Sequence, residues 1–188
     1  TIGERAFYSI DHLSSLTLGS SLETIGKDAF YYNSITVLDI PDSVVTICDG
    51  AFSSTDITTL TIGKGLKDLH EDAFLNVSEL AHVTIADDNP YFKAVGNVIY
   101  SKDGTKLHYY PEGIEATSFT FPDGVTELSN TIRNDYLESV VLCADLTTLC
   151  ERPFAKPGLV ISVAPGNESF SVSGNCLLSA DGKHLKYT

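Results

Sequence analysis

One six-residue pattern, Ile-Gly-x-x-Ala-Phe, most constrains what this chain can become. It stands as Ile2-Gly3-Glu4-Arg5-Ala6-Phe7 and as Ile25-Gly26-Lys27-Asp28-Ala29-Phe30. It returns as Ile47-Cys48-Asp49-Gly50-Ala51-Phe52 and as Leu69-His70-Glu71-Asp72-Ala73-Phe74. The successive alanines are 23, 22 and 22 residues apart. A step that constant, in the low twenties, marks a solenoid whose coils each pack on their neighbours.

After each motif comes an alternating apolar segment: Leu16-Thr17-Leu18, Leu38-Asp39-Ile40, Leu60-Thr61-Ile62 and Val83-Thr84-Ile85. Period-2 alternation of this kind predicts a strand with one buried face. Gly19, Pro41 and Gly63 follow three of the four and end them, because Pro cannot donate to a ladder and Gly turns freely. A second apolar pair then turns the chain back over the core: Leu22 and Ile25, Val44 and Ile47, Leu66 and Leu69. Small alanines let neighbouring backbones approach. Phe7, Phe30, Phe52 and Phe74 are expected to stack as an interior spine.

The pattern is interrupted twice. Asp103-Gly104 sits between Val98-Ile99-Tyr100 and Leu107-His108-Tyr109, a strong hairpin signal. An offset of 78 residues carries Asn89 to Asn167, Phe92 to Phe170, Gly96 to Gly174 and Leu107 to Leu185. Hairpins are therefore expected at about 89–111 and 167–188. Between them the strands return as Phe119-Thr120-Phe121, Val140-Val141-Leu142 and Leu159-Val160-Ile161-Ser162-Val163. The closing step is Pro153-Phe154 in one coil and has degenerated to Thr131-Ile132 in another. Middle strand residues step by 22, 22, 23, 36, 21 and 21 from Thr17 to Ser162, and the long step falls at the first hairpin. The expected fold is mainly β: one domain over 1–188, about seven coils of 21–23 residues, two inserted hairpins and very little helix.

The formal net charge of −13 argues against nucleic acid, which requires a basic stripe, and against direct docking on an anionic membrane. No apolar run approaches a membrane span. The chain has no methionine, so these residues are expected to be a piece of a longer protein. Four cysteines (Cys48, Cys143, Cys150, Cys176) lack CxxC spacing, which speaks against zinc. Cys48 and Cys150 occupy the motif's glycine position, where a small thiol suits a tight packing point. The spacing also permits a Cys143–Cys150 disulfide across one coil.

The unit L-x-(L/I)-(P/G)-x-x-(L/V)-x-x-I-G-x-x-A-F resembles the BspA-type leucine-rich repeat. The Asn-Pro-x-Phe…Gly-Asn…Tyr-Ser-Lys-Asp-Gly-Thr-x-Leu segment is similar to an element recurring in the same family. The resemblance implies a leucine-rich-repeat solenoid on a secreted or surface-anchored bacterial protein, with a role in adhesion or partner binding. It implies no active site, because the motif residues are core residues.

Searching for chemistry yields little. There is no G-x-S-x-G, Walker loop or H-E-x-x-H. His12, His70, His82, His108 and His184 are scattered singly. Asp87-Asp88-Asn89 offers a conceivable calcium turn but lacks EF-hand spacing, and an Asx turn capping the hairpin is the stronger reading. Asn76-Val77-Ser78 and Asn167-Glu168-Ser169 fit the glycosylation sequon, relevant only in a eukaryotic secretory pathway. No enzyme activity, cofactor or metal is expected.

What remains is surface. If Leu16 and Leu18 point inward, Thr17 points out, and so on through the coils. Stacking is expected to build a ladder of Thr17, Asp39, Thr61, Thr84, Thr120, Val141 and Ser162. A second column beside it holds Ser15, Val37, Thr59, His82, Ser118, Ser139 and Val160. Candidate binding residues are thus Thr17, Asp39, Thr59, Thr61, His82, Thr84, Thr120 and Ser162, although threonine is also simply a good exposed-strand residue. The expected partners are host or neighbouring-cell surface or matrix proteins. Carbohydrate stacked on tyrosines (Tyr31, Tyr32, Tyr91, Tyr100, Tyr109, Tyr110) is one alternative, and a passive spacer another.

Overall fold

A computed structural model describes residues 1–10 and 12–188. Its first coils alternate short and long strands: β1 (Thr24–Ile25), β2 (Val37–Ile40), β3 (Thr46–Ile47), β4 (Thr59–Ile62), β5 (Asp68–Leu69) and β6 (His82–Ile85). No helix occurs among the described residues. The long strands β2, β4 and β6 form one parallel sheet, the short strands β1, β3 and β5 another. Leu38, Ile40, Leu60, Ile62 and Val83 point between the two sheets and are buried. Ala29, Ala51 and Ala73 are completely buried at the closing corner, and the phenylalanine spine forms with Phe30, Phe52 and Phe74 buried, while Phe7 at its end is exposed rather than interior. Ring centroids of Phe7, Phe30, Phe52 and Phe74 are 5.1, 5.2 and 5.7 Å apart, with planes within 9° of parallel. Coils spaced by a strand-to-strand distance of about 4.8 Å place the rings in the favourable stacking range.

The first hairpin is not an appendage. Strands β7 (Phe92–Val95), β8 (Val98–Ser101) and β9 (Lys106–Tyr109) pair antiparallel, turning at Gly96-Asn97 and Asp103-Gly104. Gly96 and Asn97 have φ of 57° and 67°, the left-handed pair that a two-residue hairpin turn requires. Side chains of β8 alternate between two separate cores. Ile99 packs with Phe92, Tyr109 and the first coils, while Val98 and Tyr100 pack with Leu107, Tyr110 and the coils that follow. The hairpin is therefore a wall one strand-layer thick, dividing the solenoid into two blocks.

The second block continues with β10 (Ser118–Thr120), β11 (Glu127–Leu128), β12 (Ser139–Leu142), β13 (Thr148–Leu149) and β14 (Val160–Val163). The hairpin's last strand takes the short-strand position, because β9 pairs in parallel with β11, which pairs with β13. A second antiparallel sheet, β15 (Phe170–Ser173), β16 (Cys176–Ser179) and β17 (Leu185–Tyr187), closes this block with Phe170 and Leu177 in its core.

Three buried or half-buried asparagines tie these turns down. Asn89 donates from Nδ2 to the carbonyls of Gly63 (3.0 Å) and Leu66 (3.1 Å) and accepts at Oδ1 from the amides of Tyr91 and Phe92 (2.8 Å each). Asn167 repeats this with Cys143 and Leu146 as acceptors and Ser169 and Phe170 as donors. Asn134 does the same with Pro111, Glu112 and Ile114 and with Tyr136 and Leu137. Each amide fills its hydrogen-bonding capacity, as burial demands. Asn89 thus forms the Asx turn expected of Asp87-Asp88-Asn89.

Several expectations are corrected. Among the described residues six coils, against about seven expected, carry a paired long strand. The Leu16-Thr17-Leu18 segment lies outside any strand, and Leu16 and Leu18 are only half-buried. The outward ladder is not continuous either. Asn97 Oδ1 accepts the Val83 amide at 3.2 Å, on the side of β6 facing away from β4. That bond caps the sheet edge where pairing with β10 would begin. Finally, the glycine position is tight only at Gly26, where an added Cβ would lie 2.7 Å from the Gly3 backbone. Cys48 and His70, at the same position in later coils, instead line an open groove. All four cysteines are free thiols, so Cys143 and Cys150 are not bridged.

Candidate functional site

Two small faces replace the single long one. On the first, Asp39, Thr61 and Thr84 stand in register, as do Val37, Thr59 and His82. Their partners Leu38, Leu60 and Val83 are anchored in the core, so the outward row is presented on a rigid backbone. Thr84 Oγ1 lies 3.5 Å from Thr61 Oγ1. On the second face, Thr120, Val141 and Ser162 align beside Ser118, Ser139 and Val160. The structure thus brings Asp39, Thr59, Thr61, His82 and Thr84 together, places Thr120 and Ser162 on the other face, and leaves Thr17 off both. Only Asp39 and His82 are ionisable, and the rest of each face is hydroxyl or valine.

Three of the six candidate tyrosines are unavailable, whereas Tyr32 and Tyr91 are 62% and 43% exposed. Tyr100, Tyr109 and Tyr110 are buried in the hairpin wall, as packing of the hairpin on the solenoid predicts. Burial pushes the Tyr100 hydroxyl well above its usual range, and that of Tyr110 up to about 12. Tyr8 and Tyr31 stack on each other at 4.9 Å, and the Arg5 guanidinium lies 5.6 Å over Tyr8. A sugar platform needs an uncovered ring face, and this stack provides its edges.

The closing corner carries a charge ladder that spacing alone does not reveal. Arg5 Nε lies 3.3 Å from Asp28, Lys27 Nζ 2.5 Å from Asp49, and His70 Nδ1 3.7 Å from Asp49. The hydrogen bond from Lys27 holds the Asp49 carboxyl below its ordinary value. Asp49, His70 and Asp72 place potential ligand atoms within 4.8 Å of one another. Their electrons are already engaged: Asp49 by Lys27, and His70 Nδ1 by the Asp72 amide at 3.2 Å, while Arg133 stands 3.9 Å from Asp72. Beside this ladder a groove of about 570 Å³ runs past Cys48 and His70 to Phe92 and His108. His108 packs edge-on against Phe92 at 4.9 Å, and burial, aided by Lys106, lowers its pKa to about 4.

Parallel coils of alternating long and short strands, closed by a stacked phenylalanine spine, define a leucine-rich-repeat solenoid. The chain belongs to the BspA type leucine rich repeat region family, which matches residues 1–102 in six copies. No curated protein matches it. Among solved structures it is similar to a leucine-rich repeat protein from Eubacterium ventriosum, with a TM-score of 0.65 and 16% identity over 86% of this chain and 57% of that one. It is similar also to the pneumococcal vaccine antigen PcpA, with a TM-score of 0.67 and 22% identity over 89% and 49%. A leucine rich cell surface protein from Faecalibacterium prausnitzii gives 0.60 and 20% over 86% and 57%. The chain spans about half the length of these structures. At such identities the likeness concerns the fold.

Proposed function

We propose that this chain is a non-enzymatic binding module displayed outside the cell, contacting host or neighbouring-cell proteins through the face of its first block. The observation that carries the reading is the in-register, exposed row Asp39–Thr61–Thr84 beside Val37–Thr59–His82. Repeat proteins bind along such extended, backbone-rigid surfaces, and rigidity lowers the entropy lost on binding. The description of one structural neighbour as a cell surface protein supports the location. Among the described residues no helix is long and apolar enough to cross a membrane.

A label-free binding screen against immobilised matrix proteins and a polysaccharide panel, at physiological salt, tests the reading. A saturable protein partner is expected. Binding confined to polysaccharide would replace the reading with carbohydrate recognition, and silence on both panels would favour a spacer.

A further inference from the structure

The closing corner of the second block departs from that of the first. There, cations meet an aspartate one coil on, Arg5 to Asp28 and Lys27 to Asp49. In the second block the Ala-Phe step has become Thr131-Ile132 and Pro153-Phe154, and two adjoining hollows of about 280 and 400 Å³ open along it. Arg133 and Arg152, two of the chain's three arginines, line both.

Arg133 is oriented by hydrogen bonds from Nη1 to Asn130 Oδ1 (3.4 Å) and the Thr131 carbonyl (3.5 Å). Among the described residues neither Arg152 nor Lys186 has a carboxylate within ion-pair distance. The larger hollow therefore sets Arg133, Arg152 and Lys186 against Glu151, with Asp72 of the adjoining hollow 3.9 Å from Arg133, so Arg152 and Lys186 are the cations left without a carboxylate partner. In a chain of net charge −13, two neighbouring cations without a carboxylate partner run against their surroundings. The hollow's volume lies within the range of small-ligand sites. Its floor is apolar: Phe154 is 5% exposed and meets Tyr187 edge-on at 5.4 Å. Such a ring leaves no free face for a sugar, whereas an apolar peptide side chain needs none.

We infer that this hollow binds an acidic peptide segment, with Arg152 gripping an Asp or Glu carboxylate beside Lys186 and the floor at Phe154 taking the apolar residue next to it. Arginine suits this role because its planar fork matches a carboxylate. No residue of either long-strand face lines the hollow, so the inference stands apart from the function proposed above.

Titration of the ¹⁵N-labelled chain by NMR tests it, using the blocked peptide Ac-Leu-Glu-Leu-NH₂, its Gln counterpart and digalacturonic acid. Saturable shifts are expected at the amides of Arg152 and Ala155 with the Glu peptide. Affinity should fall by about tenfold or more with the Gln peptide and with Arg152→Ser, as for loss of a charge-assisted hydrogen bond. Arg152 is exposed, so the variant should keep a dispersed native spectrum. The inference is overturned if millimolar peptide produces no saturable shift, if Arg152→Ser binds unchanged, or if digalacturonic acid binds and the peptide does not.

Discussion

Tyr109, from the hairpin, occupies the place of a closing phenylalanine: its ring lies 5.9 Å from that of Phe74, and its hydroxyl donates to the Phe74 carbonyl at 3.1 Å. An aromatic delivered by an inserted strand thus extends the spine built by the repeat. Tyr109→Phe should cost about 1–2 kcal/mol by leaving that buried carbonyl unpaired, and Tyr109→Ala about 3–5 kcal/mol. Urea denaturation of the two variants measures both.

The asparagine staples make a second test. Asn89→Ala removes four hydrogen bonds at a buried site and should destabilise by about 2–4 kcal/mol, more than Asn167→Ala at its half-buried equivalent. Asn89→Asp should be worse than Asn89→Ala, because it sets a carboxylate against the Gly63 and Leu66 carbonyls. Denaturant midpoints give the order.

How much of this could be read from residues alone depends on what each signal encodes. The Ile-Gly-x-x-Ala-Phe step encodes a coil, and Asp103-Gly104 encodes a turn, because both are local geometry. The break between Thr84 and Thr120 was not legible. Phe119-Thr120-Phe121 alternates like any other strand, and only the distant Asn97 decides that β6 is capped. The staples were partly legible: Asn89, Asn134 and Asn167 each precede a buried apolar residue by three positions, Phe92, Leu137 and Phe170. The degenerate closing step was visible too, but the hollow beside Arg152 depends on which corner residues find partners.

His108 gives the chain a pH dependence of known sign. Its pKa is about 4 folded against an ordinary 6.5, so the unfolded chain takes up the proton first as the pH falls. Stability should therefore drop between about pH 6.5 and 4, by about 2 kcal/mol for a half-buried imidazole, and be unaffected by this group above that window. His108→Gln should remove this share of the slope, measured as the difference between thermal melts of the two proteins across the range.

All four thiols should titrate in the unreduced, denatured chain, and the folded chain should react slowly at Cys143. Burial raises the pKa of both Cys143 and Cys150, which keeps the reactive thiolate scarce near neutrality. Fewer than four thiols after denaturation would point to a bridge that the structure lacks.

The most direct test of the binding account compares the two faces on whichever protein partner the screen finds. Affinity is measured for the double variant Thr61→Arg, Thr84→Arg and for its counterpart Thr120→Arg, Ser162→Arg. Both place two bulky charges on exposed strand positions and leave the core intact. The account predicts that the first pair weakens binding by about two orders of magnitude while the second leaves it nearly unchanged. Unchanged affinity in the first pair would contradict it.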